Sequence, residues 1–350
     1  MSEPSTPPVA PDRTVPPGYR QQLEQGYVFG SVLTFGQRPL VTEEAQLDAW
    51  RPDVAVLGAP FDLGTTNRPG ARFGPRALRT NAYEPGTFHL DLGLEIFEWL
   101  EVVDVGDAYC PHGRVEVSLD NIKAKVASVV DRGILPVTIG GDHTVTWPAA
   151  TAVAAHHGFG RVGMVHFDAH ADTADTIDGN LASHGTPMRR LIESGAIPGR
   201  NFVQIGLRGY WPGQEVWDWM SAQGMRWHLM DEVHRRGLDA VLTDAISEAM
   251  EGVDHLYVSV DIDSLDPAFA PGTGTPEPGG LAPVDMLRAM RRLAMETPLV
   301  GFDVMEVAPA YDHADCTVNV AHRLIFEVLA GLAWKRRQSG AEPRGDGARR

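Results

Sequence analysis

Cysteine is nearly absent from this chain of 350 residues: Cys110 and Cys316 are the only two. Neither belongs to a CxxC pair or another metal-binding spacing, which excludes a disulfide framework and a zinc–thiolate module. The expectation is a reduced, cytosolic (cytoplasmic) protein with buried thiols. Positive charge is scarce as well. Lys and Arg number 30 against 46 Asp and Glu, a formal net charge of -16. That balance argues against nucleic acid or an anionic membrane as the main partner. Long apolar runs are missing too, since Leu324 to Trp334 is too short to span a bilayer and carries Glu327. Residues 1–17 are rich in Pro, Ser and Thr without an apolar stretch, unlike a secretory signal, and read as a disordered arm. The Gly- and Arg-rich stretch 337–350 reads as a disordered tail.

What is there is an alternation of strand and helix patterns. Short apolar runs at Val54–Gly58, Leu100–Val105, Ile134–Ile139, Val162–Phe167, Phe202–Gly206, Leu256–Ile262 and Val300–Val307 read as strands. Between and after them, apolar residues recur at helical spacing: Leu119, Ile122, Val126 and Val129; then Met286, Met290 and Leu293; then Leu324 to Leu332. Strands alternating with helices predict an α/β fold of three layers, α/β/α, around a mostly parallel central sheet. No linker divides 51–336, which is expected to be one catalytic domain. Residues 18–50 form an N-terminal extension and a candidate for subunit contacts.

The chemistry concentrates at strand ends, where ligands sit in such sheets. His166-Phe167-Asp168-Ala169-His170-Ala171-Asp172 places four ligand-grade side chains in seven residues directly after an apolar run. Alternation in an extended chain predicts Asp168, His170 and Asp172 on one side. Ser259-Val260-Asp261-Ile262-Asp263 adds two acids, read as sharing a strand face. Gly140-Gly141-Asp142-His143 adds an imidazole, with Asp142 read as a helix cap. Buried like charges disfavour joint ionisation, and a shared cation removes the conflict. The candidate metal ligands are therefore His143, Asp168, His170, Asp172, Asp261 and Asp263. Four carboxylates and two neutral imidazoles balance two divalent ions. Oxygen-rich ligation suits Mn2+, with Ni2+ as the alternative.

These motifs resemble the ureohydrolase family of arginases and agmatinases, from about Val54 to Trp334. Arg68-Pro-Gly-Ala-Arg-Phe-Gly-Pro75 and Asp266-Pro-Ala-Phe-Ala-Pro-Gly-Thr-Gly-Thr-Pro276 belong to the same resemblance. It implies an arginase-like fold and two ions per chain. One ion would be held by His143, Asp168, Asp172 and Asp261, the other by Asp168, His170, Asp261 and Asp263. His166 would support the ligands through a hydrogen bond. Glu306, in Asp303-Val304-Met305-Glu306, would hold a guanidinium group, and His184 would shuttle protons at the mouth of the site. Asp172 would accept a proton from the attacking hydroxide and pass it to the leaving nitrogen. The products would be urea and an amine.

The substrate tail is the open question. The loop Thr173 to Ser183 does not follow the arginase pattern, and Asp303 to Asp312 looks closer to agmatinase. Asp175 and Asp178 are equally well read as contacts for a cationic tail or as solvated acids. Tyr210 to Trp227 holds four of the eight tryptophans. Helix packing is the plainer reading for them; a pocket wall stacking on a guanidinium is the sharper one. Together with the N-terminal extension, this segment looks like the subset acting on guanidine, N-alkylguanidines or biguanides with nickel. A metal-dependent deacylase and an inactive partner subunit are the competing classes. A homo-oligomer, trimer or hexamer, is the implied assembly, with a hetero-oligomer with a paralogue as an alternative.

Overall fold

The computed structural model describes residues 33–80 and 86–344. The arm 1–17 and much of the extension 18–50 lie outside the described residues. The centre is an eight-stranded sheet. Its strands are β1 (Val54–Gly58), β2 (Val102–Asp107), β3 (Leu135–Ile139), β4 (Val162–Phe167), β5 (Phe202–Ile205), β6 (Arg226–His228), β7 (His255–Asp261) and β8 (Leu299–Met305). They lie in the order β2-β1-β3-β8-β7-β4-β5-β6, and every pairing is parallel. The strands are apolar on both sides because helices cover both faces. In β1, Val54 and Val56 join one core while Ala55 and Leu57 join the other. The first core is closed by the helices Leu238–Ala249, Pro283–Glu296 and Cys316–Gln338. The second is closed by Val115–Val130, Thr146–His157, Pro187–Glu193 and Gln214–Ala222.

Three details depart from the expectations. The last helix begins at Cys316 rather than near Arg323 and runs to Gln338. It is long and apolar enough to cross a membrane by composition, yet most of its apolar window is buried in the first core. The stretch after it is also placed rather than loose as far as Arg344, whose guanidinium pairs with Asp53 and whose N–H donates to Glu98 O at 2.7 Å. The expected disordered tail therefore does not begin at 337. Finally, β6 falls inside the tryptophan-rich segment, which was read only as helix or pocket wall.

Candidate metal centre and its cavity

Two layers of polar residues meet at the carboxyl ends of the central strands. The lower layer runs across five strands in lateral register: Thr138, Asp303, Ser259, His166 and Gln204 are successive neighbours on β3, β8, β7, β4 and β5. All five are buried. A polar row in an apolar sheet is costly unless its members satisfy one another. Ser259 Oγ donates to Asp303 Oδ1 at 2.7 Å, while Tyr257 OH and Thr146 Oγ1 donate to Asp303 Oδ2 at 2.7 and 3.0 Å. With its proton committed there, Ser259 Oγ accepts from His143 Nε2 at 3.0 Å. His143 Nδ1 is left with its lone pair facing Asp261, Asp168 and Asp172 at 3.0, 3.1 and 3.2 Å. This is the orientation a ligating imidazole needs, held by the hydrogen bond of its other nitrogen.

The upper layer carries the remaining donors, and it is built from turns. β4 stops at Phe167, so Asp168, His170 and Asp172 lie beyond the strand, and Asp172 has a left-handed backbone at φ 54°. Asp261 ends β7, while Asp263 sits in the following 3-10 turn Ile262–Ser264. Strand alternation is thus not what brings either set together. The turns hold themselves: Asp168 Oδ1 accepts His170 N at 2.6 Å, and Asp261 Oδ1 accepts Asp263 N at 2.8 Å. Gly140-Gly141 lets the third segment pass close by, because a Cβ on Gly141 would stand 1.6 Å from Phe61 O. Asp142 caps the turn by accepting Thr144 N at 3.0 Å, as read from the sequence, and also accepts Gly64 N at 2.7 Å.

The six expected ligands fall into two groups of convergent donor atoms. His143, Asp168, Asp172 and Asp261 form one, matching its expected set; Asp168, His170 and Asp263 form the other. Asp168 belongs to both, as a bridge would, whereas Asp261 falls only in the first. His166 also approaches, its Nε2 lying 3.0 Å from Asp168 Oδ2. Gln204 Nε2 donates to both Ala171 O (2.7 Å) and His166 Nδ1 (2.9 Å). Two donations from one amide nitrogen leave His166 protonated on Nε2 and so unavailable as a ligand, and that N–H does not reach Asp168 Oδ2 with hydrogen-bond geometry.

The electrostatics describe a site that asks for positive charge. Burial, then Asp263 and Asp168, push Asp261 well above the usual carboxylate range. Burial and Asp168 push Asp172 up to about 7. Burial opposes a proton on His170, but Asp263 and Asp168 outweigh it and push the ring up to about 12. His143 is raised likewise, by Asp168, Asp172 and Asp261 against its burial. Protons here stand where cations would. Asp168 Oδ2 is buried and lacks any partner with hydrogen-bond geometry. Carboxylate-rich donor sets with one imidazole each, and an orphaned oxygen on the acid common to both, fit a pair of hard divalent cations.

A cavity of about 350 Å³ opens beside the donors, lined by Thr66, His170, Asp172, Ile177, His184, Gly185, Trp211, Asp261 and Thr275. His184 is buried at 8% exposure rather than standing free at the mouth. Its Nδ1 lies 2.9 Å from Glu306 Oε1, which also accepts His143 N at 3.0 Å. Glu306 Oε2 is buried without a hydrogen-bond partner, and Glu306 itself has a left-handed backbone at φ 64°. Burial opposes a proton on His184, while Glu306, Asp172 and Asp142 push it up to about 9; cations on the neighbouring donors would counter that pull.

The substrate-tail candidates separate cleanly. Asp175 is paired with Arg190 and Arg189 at 3.1 and 3.6 Å, and Asp178 is exposed; neither lines the cavity. From the same loop it is Ile177 that does. The tryptophans divide as well. Trp211 walls the cavity near His170, whereas Trp217 packs on Trp227 at 4.5 Å and Trp219 lies under Arg189 at 4.4 Å. Thr66 and Thr275, which also line it, carried no sequence signal of their own. Thr66 sat unremarked beside one motif of the family resemblance, and Thr275 inside the other.

The sequence profile of the arginase family matches residues 52–331, the span that holds every donor above. The chain belongs to the arginase family. It is 40% identical over 282 residues to a mitochondrial agmatinase of Gallus gallus, covering 80% of this chain and 81% of that protein. Proclavaminate amidinohydrolase from Streptomyces clavuligerus has the same architecture, with a TM-score of 0.80 and 36% identity over 88% of this chain and 99% of that one. A Trypanosoma cruzi formiminoglutamase solved with Mn2+ superposes with a TM-score of 0.75 at 25% identity, covering 83% and 98%. The protein is thus an arginase-family ureohydrolase of the agmatinase and guanidino acid hydrolase type, a hydrolase of linear amidines, with the arginase-like α/β fold.

Proposed function

We propose that this ureohydrolase releases urea from a small guanidino compound with a short, uncharged tail, using two Mn2+ ions per chain. One observation carries the reaction: two donor groups sharing Asp168 stand beside a cavity that also contains His184. His143, Asp168, Asp172 and Asp261 would hold one ion, and Asp168, His170 and Asp263 the other, with Asp261 closing between them. When bound, the ions supply charge neutralisation and a water acidic enough to attack near neutral pH. The side chains do the rest. Glu306 presents Oε2 to the guanidinium N–H groups, a charge-assisted pairing that also fixes the angle of the planar group. Asp172 accepts the proton released at the attacking oxygen and returns it to the departing nitrogen. His184, hydrogen-bonded to Glu306 Oε1 within the same cavity, holds that carboxylate in place.

The tail reading rests on the walls. Apart from the donor acids and imidazoles, the lining is Thr66, Ile177, Gly185, Trp211 and Thr275, none of them charged. A terminal ammonium or carboxylate would lose its water without gaining a partner, at a cost of several kcal/mol. An alkyl or unsubstituted guanidine would not. The test is a panel of guanidine, N-methyl- and N,N-dimethylguanidine, agmatine and 4-guanidinobutyrate, assayed for urea with Mn2+ and with Ni2+, beside metal analysis. Near two ions per chain, with urea chiefly from the short guanidines in Mn2+, is the expected result. Turnover of agmatine alone rejects the tail reading, higher activity with Ni2+ rejects the choice of metal, and two bound ions with no urea from any substrate rejects the reaction.

A further inference from the structure

We infer that Thr66 is a positioning residue: it keeps the proton of His184 on Nδ1 and thereby decides which oxygen of Glu306 is left for the substrate. The inference rests on the role of Glu306 proposed above. Its ground is a chain of contacts that joins parts of the sequence more than a hundred residues apart. The Thr66 backbone N–H points at His184 Nε2 at 3.2 Å, and Thr66 Oγ1 lies 2.7 Å from the same nitrogen. A backbone N–H can only donate, so it requires a lone pair on Nε2. The hydroxyl adds a second donor to that lone pair. A proton on Nε2 would meet the N–H head-on.

With Nε2 bare, the ring proton sits on Nδ1 and is donated to Glu306 Oε1 at 2.9 Å. His143 N donates to that oxygen too, at 3.0 Å, so Oε1 is occupied twice while Oε2 has no partner. Reversing the tautomer would strip one donor from Oε1 and place the His184 lone pair against a carboxylate. Oε1 and Oε2 would then compete for the guanidinium, and the orientation of Glu306 would lose its cause.

Thr66 does not owe its place to its own hydroxyl. Gly64 O accepts His184 N at 3.1 Å and Ser183 Oγ at 2.9 Å, clamping the loop to the segment it serves. On the other side, Asn67 Nδ2 donates to Gly274 O at 2.9 Å. Substituting the side chain therefore leaves the loop held, and Thr66→Val (close to isosteric) and Thr66→Ser are fair probes.

Two measurements test the inference. The first reads the tautomer directly: nitrogen NMR of histidine-labelled, zinc-loaded full-length protein, with the His184 signals assigned by their loss in His184→Gln. An unprotonated Nε2 and a protonated Nδ1 are expected; a proton on Nε2 overturns the inference. The second is kinetic. Thr66→Val keeps the backbone N–H at Nε2 but loses the shorter hydroxyl contact, and should raise KM for the best guanidine roughly tenfold, the size of one lost hydrogen bond to an ionisable partner, with kcat changed less than threefold. Thr66→Ser should return to within about twofold of the wild type. Metal content and thermal midpoint should be unchanged in both. A Thr66→Val enzyme equal to the wild type overturns the inference, and so does a Thr66→Ser enzyme as impaired as Thr66→Val. A wild type that yields no urea from any guanidine sinks the reaction reading instead, and the NMR measurement still decides the tautomer.

Discussion

The two ends of β7 make opposite use of histidine. At its carboxyl end, Asp261 and the turn after it gather His143 and His170 against buried carboxylates, and both rings are drawn toward protonation. At its amino end, roughly 20 Å away along the strand, the His255 ring packs at a tilt against His157 with centroids 4.3 Å apart, and His156 lies 4.8 Å from His157. Here Asp131 lies 3.1 Å from His156. Burial, followed by His255 and His156, pushes His157 down to about 4. An imidazole is a cation-seeker in one place and an aromatic spacer in the other, on one strand. What differs is the charge of the neighbours, so a cluster of histidines alone says little about metal.

The comparison is most severely tested at Asp261. Asp261→Ala should remove most bound metal and lower activity at least a thousandfold, because a donor acid is lost from a site that buries its charges. Metal analysis beside a urea assay reads it, and substantial urea from a metal-depleted variant would sink the scheme. Glu306→Gln should keep its metal and lose roughly 10- to 100-fold in kcat/KM, the worth of hydrogen bonds to a charged group. If metal leaves with Glu306, the division between ligands and substrate grip is wrong. Trp211→Ala should leave the metal and shift preference, costing short N-alkylguanidines about tenfold, within the range that pocket contacts supply. An unchanged substrate profile would remove Trp211 from the pocket wall.

The two ends should also differ in pH response. In the metal-stripped protein, Asp172 and Asp142 have folded values near 7, above their ordinary range, and His184 is near 9. Groups raised in the fold contribute stability at low pH and lose it as pH climbs through those values. The stripped protein should therefore melt at progressively lower temperature from pH 5 to pH 9, and added Mn2+ should abolish the slope. His157 has the opposite sign. Its folded value lies below that of the free side chain, so its stability is full above about pH 6.5 and is lost toward pH 4. His157→Gln should flatten that acid limb slightly and leave metal binding untouched; a variant that loses metal would join the two ends functionally.

Much of the site could be read from the chain because acids crowded at the ends of apolar runs violate the usual pattern. Asp168, Asp172, Asp261 and Asp263 stood out for that reason, and His143 by its glycine turn. Their spatial grouping could not be read from alternation, since the strands stop at Phe167 and Asp261 and turns make the convergence. β6 escaped notice because a three-residue strand at the sheet edge carries no periodicity. Asp175 read equally well as a substrate contact or a solvated acid, because its partner Arg190 could not be seen in the sequence. Thr66 was invisible for a different reason. Its partner His184 lies 118 residues away, and a threonine in a loop has no pattern to break.

The polar row beneath the metal donors couples two properties that are usually separable. Thr138, Asp303, Ser259, His166 and Gln204 belong to five strands and meet only in one register. A slip of one residue in any of those strands would turn its polar member into the opposite, apolar layer and bring an aliphatic side chain into the row. Capacity to retain metal should therefore report strand alignment. A misaligned sheet should collapse around a site that cannot close, and metal would select the correctly threaded molecules from a refolding mixture.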